Sequence, residues 1–241
     1  MSFVWFKDRF EPTNKALKLC NWSLLPAVVA LFFSLSSEII RSLWYANLLP
    51  FLDKYPYKPS NLEVFTFFYC LLILSLAYVV LRFVYKVSIS EVFNLKVAEF
   101  RFILKLCALL AVINLLSIYL LDLNILFNPQ KADLSYIKSM DGLHIVLYTF
   151  VTILLVPVVE ETVFRGLMYG PLYRKVGRIF AIMLSSLIWT HAHFEPSMPS
   201  IGIFAVGIWL AWLYDRNGSL IQPIVFHIFK NSWIMFYFFK S

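Results

Sequence analysis

The sequence predicts an all-α protein that is integral to a membrane, with about seven transmembrane helices (roughly six to eight), since apolar segments near 20 residues recur along it. Of the 241 residues, 61% are hydrophobic and 15% are charged, whereas a soluble domain carries about 45–50% apolar and about 25% charged residues. The mean hydropathy is +0.75. The predicted spans are Leu19–Ser37, Val64–Leu81, Leu106–Leu121, Leu143–Tyr173, Ile179–Phe194, Ile201–Tyr214 and Ser219–Phe239.

The short loops predict the orientation of these spans. Basic residues precede the first span and dominate the loop 82–105 and the loop Arg174–Arg178, so the N-terminus and both loops are expected in the cytoplasm. This places the protein in the cell membrane if its source is prokaryotic. The net charge of +7 is attributed to topology and lipid contact, not to nucleic-acid binding. The apolar segment Ser42–Leu52 is interpreted as interfacial or re-entrant, with an eighth span as the alternative.

Two regions of one integrated domain are expected. Residues 1–142 are membrane helices with a basic cytoplasmic loop, in which 82–105 is predicted to form an amphipathic surface helix. Its apolar face would comprise Phe93, Val97, Phe100 and Leu104. Residues 143–241 form the core that carries the chemistry. Cys20, Cys70 and Cys107 are far apart and form no CxxC pair, so neither a disulfide framework nor a thiolate metal site is expected.

Ionisable residues interrupt the fourth span. Glu160, Glu161 and Arg165 lie within LVPVVEETVFRG, and such groups cost about 2.5–3.5 kcal/mol each at the centre of a membrane helix. Counting back from the loop Arg174–Arg178 puts Glu160 about 21 Å from the cytoplasmic face. The same count puts His193 about 22 Å from that face. The loop Asp215–Gly218 is expected to return to the same face, and counting on from Gly218 puts His227 and Asn231 about 14 and 20 Å from it. Three helices are thus predicted to bring polar groups to one depth.

Helical spacing divides these groups into faces. Residues four apart share a face, so Glu161 with Arg165, and His227 with Asn231, are each expected to act together. Glu160 is rotated by about 100° from Glu161 and is expected to face a cavity. A buried carboxylate there can accept a proton from a water molecule that attacks a carbonyl. Imidazole and amide N–H groups can hold the oxyanion that develops, which describes a peptide hydrolase without a nucleophilic side chain.

At these residues the chain resembles the CPBP family, the CAAX prenyl endopeptidases and bacteriocin-processing enzymes. EETVFRG matches the EExxxR(G) motif, WTHAH (Trp189 to His193) resembles FxxxH, and HIFKN (His227 to Asn231) resembles HxxxN. The resemblance covers about residues 143–235 and departs from the family at Trp189, where Phe is usual. It implies an intramembrane glutamic endopeptidase in which Glu160 and His193 activate water while His227 and Asn231 form the oxyanion hole.

The resemblance also implies supporting roles and partners. Glu161, Arg165 and Trp189 would hold the geometry. No cofactor is required, and the substrate would be a membrane-associated peptide or a lipidated, for example prenylated, protein C-terminus. The expected partners are therefore the lipid bilayer and that substrate, with no nucleic acid.

Three alternatives remain open at this point. A zinc ion could in principle bind among Glu160, Glu161, His193 and His227, but no HExxH motif is present and an amide is a weak zinc ligand, so no metal is expected. A non-catalytic immunity or scaffold protein of the same family could retain the polar cluster for folding. A proton-coupled carrier could also use buried Glu and His residues, although repeated halves and glycine-broken helices would then be expected.

Overall fold

The computed structural model of the protein describes residues 60–84, 86, 88–93, 101–109, 111–112, 140–193 and 200–240. The predicted span Leu19–Ser37 and the segment Ser42–Leu52 lie outside the described residues, as does most of Leu106–Leu121. Within the described ranges every regular element is helical, which confirms the all-α prediction. Residues 101–109 are helical, and the other helices are α1 (Ser60–Val79, continuing as a π-helical segment Val80–Val84), α2 (Ile89–Val92), α3 (Gly142–Val176), α4 (Arg178–Ala192), α5 (Ser200–Asn217) and α6 (Ile221–Lys240).

Two of the described helices are long and apolar enough to cross a membrane. They are Val64–Val84, with a hydropathy of 2.5, and Gly142–Val176, with a hydropathy of 2.2. Both correspond to spans predicted from the sequence. Helix α4 is shorter, with 15 residues, and ends before His193. The count of seven spans stays a prediction.

Helix α3 departs twice from α-helical hydrogen bonding along its length. It begins at Asp141, whose Oδ1 accepts a hydrogen bond from the His144 backbone N–H at 3.1 Å, and this bond holds the pKa of Asp141 below its usual value. Two π-helical segments, Val151–Leu155 and Thr162–Tyr169, then flank the α-helical segment Val156–Glu161. A π-type turn often marks a functional site, because the wider turn rotates the side chains that follow it.

The helices pack around α3 so that each half of it has different neighbours. Helix α6 contacts the first half of α3, α4 contacts the second half, and α5 packs between α4 and α6. Helix α1 runs along α3 on another side. Buried residues of α1, the helical stretch 101–109 and the C-terminal helices share one apolar cluster that includes Cys70, Ile103, Val159, Trp189 and Phe226.

Helix α4 has an exposed apolar face and a buried polar face. Its outer face carries Ile179 and Phe180, which are 73% and 65% exposed, while Ser185, Ser186 and Thr190 are buried. The hydroxyls satisfy backbone carbonyls within the helix, as Ser186 Oγ donates to Ile182 O at 2.6 Å. Apolar side chains outward and polar ones inward is the arrangement of a helix in lipid, because no water covers its outer face.

The basic segment 82–105 does not form the continuous surface helix predicted from the sequence. Helix α1 extends through Val84, and Lys86 adopts a positive φ of 55°, which breaks the helical path. A single turn, α2, then begins at a capping box in which Ser88 N–H donates to Glu91 Oε2 at 2.9 Å. Leu104 of the predicted apolar face is exposed, as expected for a residue that faces lipid at a membrane surface, and its neighbour Ile103 is fully buried.

A polar staple ties three helices together near the loop Arg174–Arg178. Asp215 of α5 accepts hydrogen bonds from Tyr169 Oη of α3 and from Arg178 Nε of α4, each at 2.6 Å. Gly177, with a φ of 80°, makes the sharp turn that brings α4 back against α3. These contacts fix the relative rotation of the helices that carry the residues discussed below.

Replacing Asp215 by Asn should weaken this staple, because the charge that holds Arg178 and Tyr169 is lost. We expect the free energy of unfolding to fall by about 1.5–3 kcal/mol, measured by unfolding in detergent. The control is Lys175→Gln in the exposed last turn of α3, which should change stability by less than about 0.5 kcal/mol. Equal stability of the two variants would contradict the structural role of Asp215.

Candidate active site

Glu160 lies at the meeting point of three helices. Its Oε2 accepts a hydrogen bond from Trp189 Nε1 at 2.7 Å. The Nε2 of His193 lies 3.4 Å from Oε1, and the Nε2 of His227 lies 3.9 Å from Oε2. The Glu160 side chain is 15% exposed and that of His193 is 27% exposed, so this part of the cluster is the one that a small molecule can reach. The structure therefore brings together Glu160, His193, His227 and Trp189.

Glu161 belongs to a separate, fully enclosed network. Its Oε1 accepts a hydrogen bond from Arg165 Nη1 at 3.1 Å and lies 2.9 Å from His227 Nδ1. Arg165 also donates through Nη2 to the carbonyl oxygen of Gly207, at 3.0 Å. The side chains of Glu161 and Arg165 are both fully buried. This network joins α3, α5 and α6, and it gives the two neighbouring carboxylates different environments, as their angular separation predicts.

The hydrogen bonds of the two histidines fix which ring nitrogen faces Glu160. His193 Nδ1 lies 2.8 Å from the carbonyl oxygen of Trp189, which can only accept, so Nδ1 carries the proton. His227 Nδ1 faces the Glu161 carboxylate, which is paired with Arg165 and also accepts. In their neutral forms both rings thus direct an unprotonated Nε2 towards Glu160. Three proton acceptors around one small volume are suited to bind a water molecule or to share a proton.

Asn231 lies one helical turn beyond His227, but its described hydrogen bond goes elsewhere. Its Nδ2 donates to the carbonyl oxygen of Thr152 at 2.9 Å. In the π-helical segment Val156 N–H bonds to Val151 O, five residues earlier, so the next carbonyl, Thr152 O, would need an N–H from residue 157. Residue 157 is Pro and has none. Asn231 therefore satisfies a carbonyl that Pro157 leaves open, and its role at an oxyanion stays a prediction.

Trp189 contributes more than the aromatic wall expected from the motif. Its indole N–H is the closest hydrogen-bond donor that the structure gives Glu160, and its ring packs 4.2 Å from the His193 ring. The indole also lies edge-on to the His227 ring at 5.6 Å. A Phe at this position would keep the packing but not the hydrogen bond. The indole thus orients one oxygen of Glu160 and leaves the other facing His193.

Sequence reasoning missed two residues of this region. Gly207 is one of two glycines in the apolar helix α5, and a Cβ there would lie 3.1 Å from both Ser186 Cβ and Trp189 Cε3. It allows α5 to approach α4 and its carbonyl to reach Arg165. Lys230 stands inside the HIFKN motif, is only 8% exposed, and has its Nζ 5.7 Å from the centre of the Trp189 ring. A lysine in a predicted span was the signal that could have revealed it.

Other predicted features are placed as follows. Helical spacing puts His191 on a different face from His193 and favours a packing role, but its side chain is exposed, so that prediction is wrong. Cys70 and Cys107 are buried free thiols. Among the residues that the structure describes, no three His, Cys, Asp or Glu side chains are arranged to hold a metal ion.

Comparison with known proteins identifies the region that contains these residues. Residues 142–233 match the family model described as type II CAAX prenyl endopeptidase Rce1-like. Over 80 residues the chain is 31% identical to the protein named "Putative membrane peptidase YdiL" from Bacillus subtilis (strain 168). That alignment covers 33% of this chain and 32% of the Bacillus protein, so the similarity spans about a third of the relative. No solved structure gives a significant match. The resemblance drawn from the three motifs is confirmed.

Gly207→Ala should disturb the cluster by sterics alone. The added methyl group would press on Ser186 and Trp189, and overpacking of this kind costs about 1–3 kcal/mol. We expect this loss in the free energy of unfolding in detergent, with a change in tryptophan fluorescence. Gly142→Ala is the matched control, because nothing lies within 4 Å of a Cβ at that position. Two variants of equal stability would show that α4 and α5 can separate without cost.

Proposed function

We propose that this protein is an intramembrane endopeptidase that hydrolyses a peptide bond with a water molecule activated by Glu160; the match of residues 142–233 to the Rce1-like family model supports the proposal. The observation that carries the proposal is the position of the Glu160 carboxylate, which faces Nε2 of both histidines and is partly exposed. A carboxylate used only to hold helices together would be enclosed, as Glu161 is. The difference between the two neighbours supports a catalytic task for Glu160.

The first chemical step uses the gap between Glu160 and His193. A water molecule beside Oε1 and Nε2, which lie 3.4 Å apart, can donate a hydrogen bond to each of them, and this turns a lone pair of its oxygen towards a bound peptide carbonyl. As the oxygen attacks the carbonyl carbon, one proton of the water passes to Glu160. The carbonyl π-bond opens to a tetrahedral oxyanion. General-base assistance of this kind contributes about 10²–10⁴-fold to a rate.

The second step returns that proton. The carboxylate and the two imidazoles around it can hold the proton until the tetrahedral intermediate collapses. While Nε2 of His227 holds the proton it donates a hydrogen bond to the oxyanion, supported by the second N–H of the Asn231 amide, whose nitrogen also donates to Thr152. On collapse the C–N bond breaks, the nitrogen takes the proton, and a carboxylic acid and an amine leave.

The membrane setting is consistent with this chemistry. Helix α4 has 15 residues, and a helix of that length rises about 22 Å, which is less than the hydrocarbon thickness of about 30 Å. If α4 begins at one face beside the loop Arg174–Arg178, His193 lies below the other face. We extend the proposal to seven spans, with the N-terminus and the basic loops in the cytoplasm of a cell membrane.

The proposed substrates are membrane-associated peptides or lipidated protein C-termini, including prenylated ones. Support comes from the matching family model, whose description names CAAX prenyl endopeptidases. Exposed apolar side chains surround the described helices, so a substrate with a lipid anchor can approach from within the bilayer. The non-catalytic scaffold of the same family is the alternative that the following experiments test.

Glu160→Gln should abolish cleavage and preserve the fold, because Gln keeps the size of the side chain but cannot take a proton. We expect kcat/KM to fall by about 10²–10⁴-fold for a panel of prenylated C-terminal peptides and unmodified membrane peptides, with purified protein in detergent. Cleavage that a chelator stops would show that a metal ion takes part. A wild type that folds but cleaves no member of the panel would favour the scaffold alternative.

Glu161→Gln is the matched variant and should behave differently. It breaks a fully buried ion pair and leaves the Arg165 charge without its carboxylate, which costs about 3–5 kcal/mol. We expect a large loss of thermal stability in detergent, whereas Glu160→Gln should unfold close to the wild type. The assignment of roles would be wrong if Glu160→Gln were the less stable of the two.

A further inference from the structure

Lys230 is a buried cation beside the proposed active site. It lies on α6 between His227 and Asn231 and is 8% exposed. Its Nζ lies 5.7 Å from the centre of the Trp189 ring, and the N–H of that same indole donates to Glu160. The ammonium group is within electrostatic reach of Glu160 and Glu161. The same indole therefore lies close to a buried cation and donates a hydrogen bond to the carboxylate of Glu160.

Among the described residues, the charges of the cluster balance only when Lys230 is counted. Arg165 is committed to Glu161 and to the Gly207 carbonyl. The groups in contact with Glu160 are an indole and two imidazoles, none of which carries a fixed charge. The described groups that face this region are Cys70 from α1, Glu160, Glu161 and Arg165 from α3, Trp189 from α4 and His193 just beyond its end, the Gly207 carbonyl from α5, and His227 and Lys230 from α6.

We propose that Lys230 is the counter-cation of Glu160 and acts as a positioning residue that keeps this carboxylate ionised and able to accept a proton from water. The catalytic part of this proposal rests on the proposed hydrolysis. The claim that Lys230 keeps Glu160 ionised does not depend on it. A carboxylate at membrane depth without a compensating charge becomes protonated, and a protonated Glu160 cannot act as a base. Lys230 supplies the missing charge from beside the indole, so Oε1 of Glu160 stays available for water and His193.

The same charge serves the whole reaction. In the resting state two carboxylates oppose Arg165 and Lys230, with both imidazoles neutral, and the sum is zero. When the water proton passes to Glu160 or to an imidazole, the oxyanion gains the negative charge, and the sum over the cluster and the substrate is still zero. Without Lys230 both states carry one uncompensated negative charge in a medium of low dielectric constant, which is costly.

The test measures the ionisation of Glu160 directly. Infrared difference spectra between each protein and its Glu160→Gln counterpart, recorded across pH in detergent, follow the carboxyl band of this residue. We expect the band to show a carboxylate at neutral pH in the wild type. In Lys230→Met the midpoint of its titration should move up by about 1 pH unit or more, because an opposite charge nearby is lost. Lys230→Arg should titrate like the wild type.

Controls separate charge from packing. Lys175→Met removes a lysine from the exposed end of α3 and should leave the midpoint unchanged. If Lys230→Met cannot be purified, Lys230→Gln makes the same test with a polar side chain. An unchanged midpoint in the neutral variants would overturn the proposal and would assign the counter-charge to a protonated His193. Because no substrate is needed, this result stands even if the protein cleaves nothing.

A second readout links the charge to turnover. The acid limb of the kcat–pH profile should move to higher pH in Lys230→Met, by as much as the titration midpoint of Glu160 moves. At a fixed pH on that limb, kcat should fall by about tenfold for every pH unit that the limb moves, with KM little changed. Lys230→Arg should restore the profile. A rise in KM with an unchanged profile would instead show that Lys230 binds substrate, and would overturn the counter-cation role.

Discussion

The arrangement depends on one buried oxygen atom, Oε1 of Glu161. It accepts hydrogen bonds from Arg165, one turn away on the same helix, and from His227 on α6. Arg165 in turn holds the backbone of α5 at Gly207. A carboxylate so placed must stay where it is, because leaving either partner unpaired inside the bundle is costly. Through this atom the rotation of three helices and the orientation of the His227 ring are set together.

A backbone defect gives the second constraint. Pro157 interrupts the hydrogen bonding of α3 one turn before the two glutamates, and π-helical segments lie on both sides of it. The carbonyl of Thr152 that is left open is paired by Asn231, from a residue 79 positions later in the chain. The first half of α3 is thus tied to α6 through the same helix face that carries His227. The proline interrupts the backbone hydrogen bonds of α3. The bond from Asn231 to Thr152 then fixes the distance between the helices that hold Glu160 and His227.

The sequence predicts the helices and the convergence of the site better than it predicts the contacts. Counting residues from the loops Arg174–Arg178 and Asp215–Gly218 is enough to bring Glu160, His193 and His227 to one depth, because helical rise is nearly constant. The indole hydrogen bond from Trp189 was not predictable, since it depends on a rotamer and on the close approach that Gly207 permits. The break near Lys86 was readable in the Ser88–Glu91 capping box, but the apolar spacing of the segment favoured a continuous helix.

The adjacent carboxylates of Glu160 and Glu161, one partly exposed and one fully buried, can perform two tasks that a single carboxylate cannot combine. A group that anchors helices needs fixed partners on its oxygens, whereas a base needs a free oxygen and a changeable proton. The single step of about 100° between Glu160 and Glu161 puts one on the enclosed face and the other at the edge. The cations near the two carboxylates differ in a similar way. Arg165 contacts Glu161 directly, whereas Lys230 lies beside the indole that donates a hydrogen bond to Glu160. Two neighbours in the sequence thereby provide a fixed anchor, Glu161, and a base with a free oxygen, Glu160.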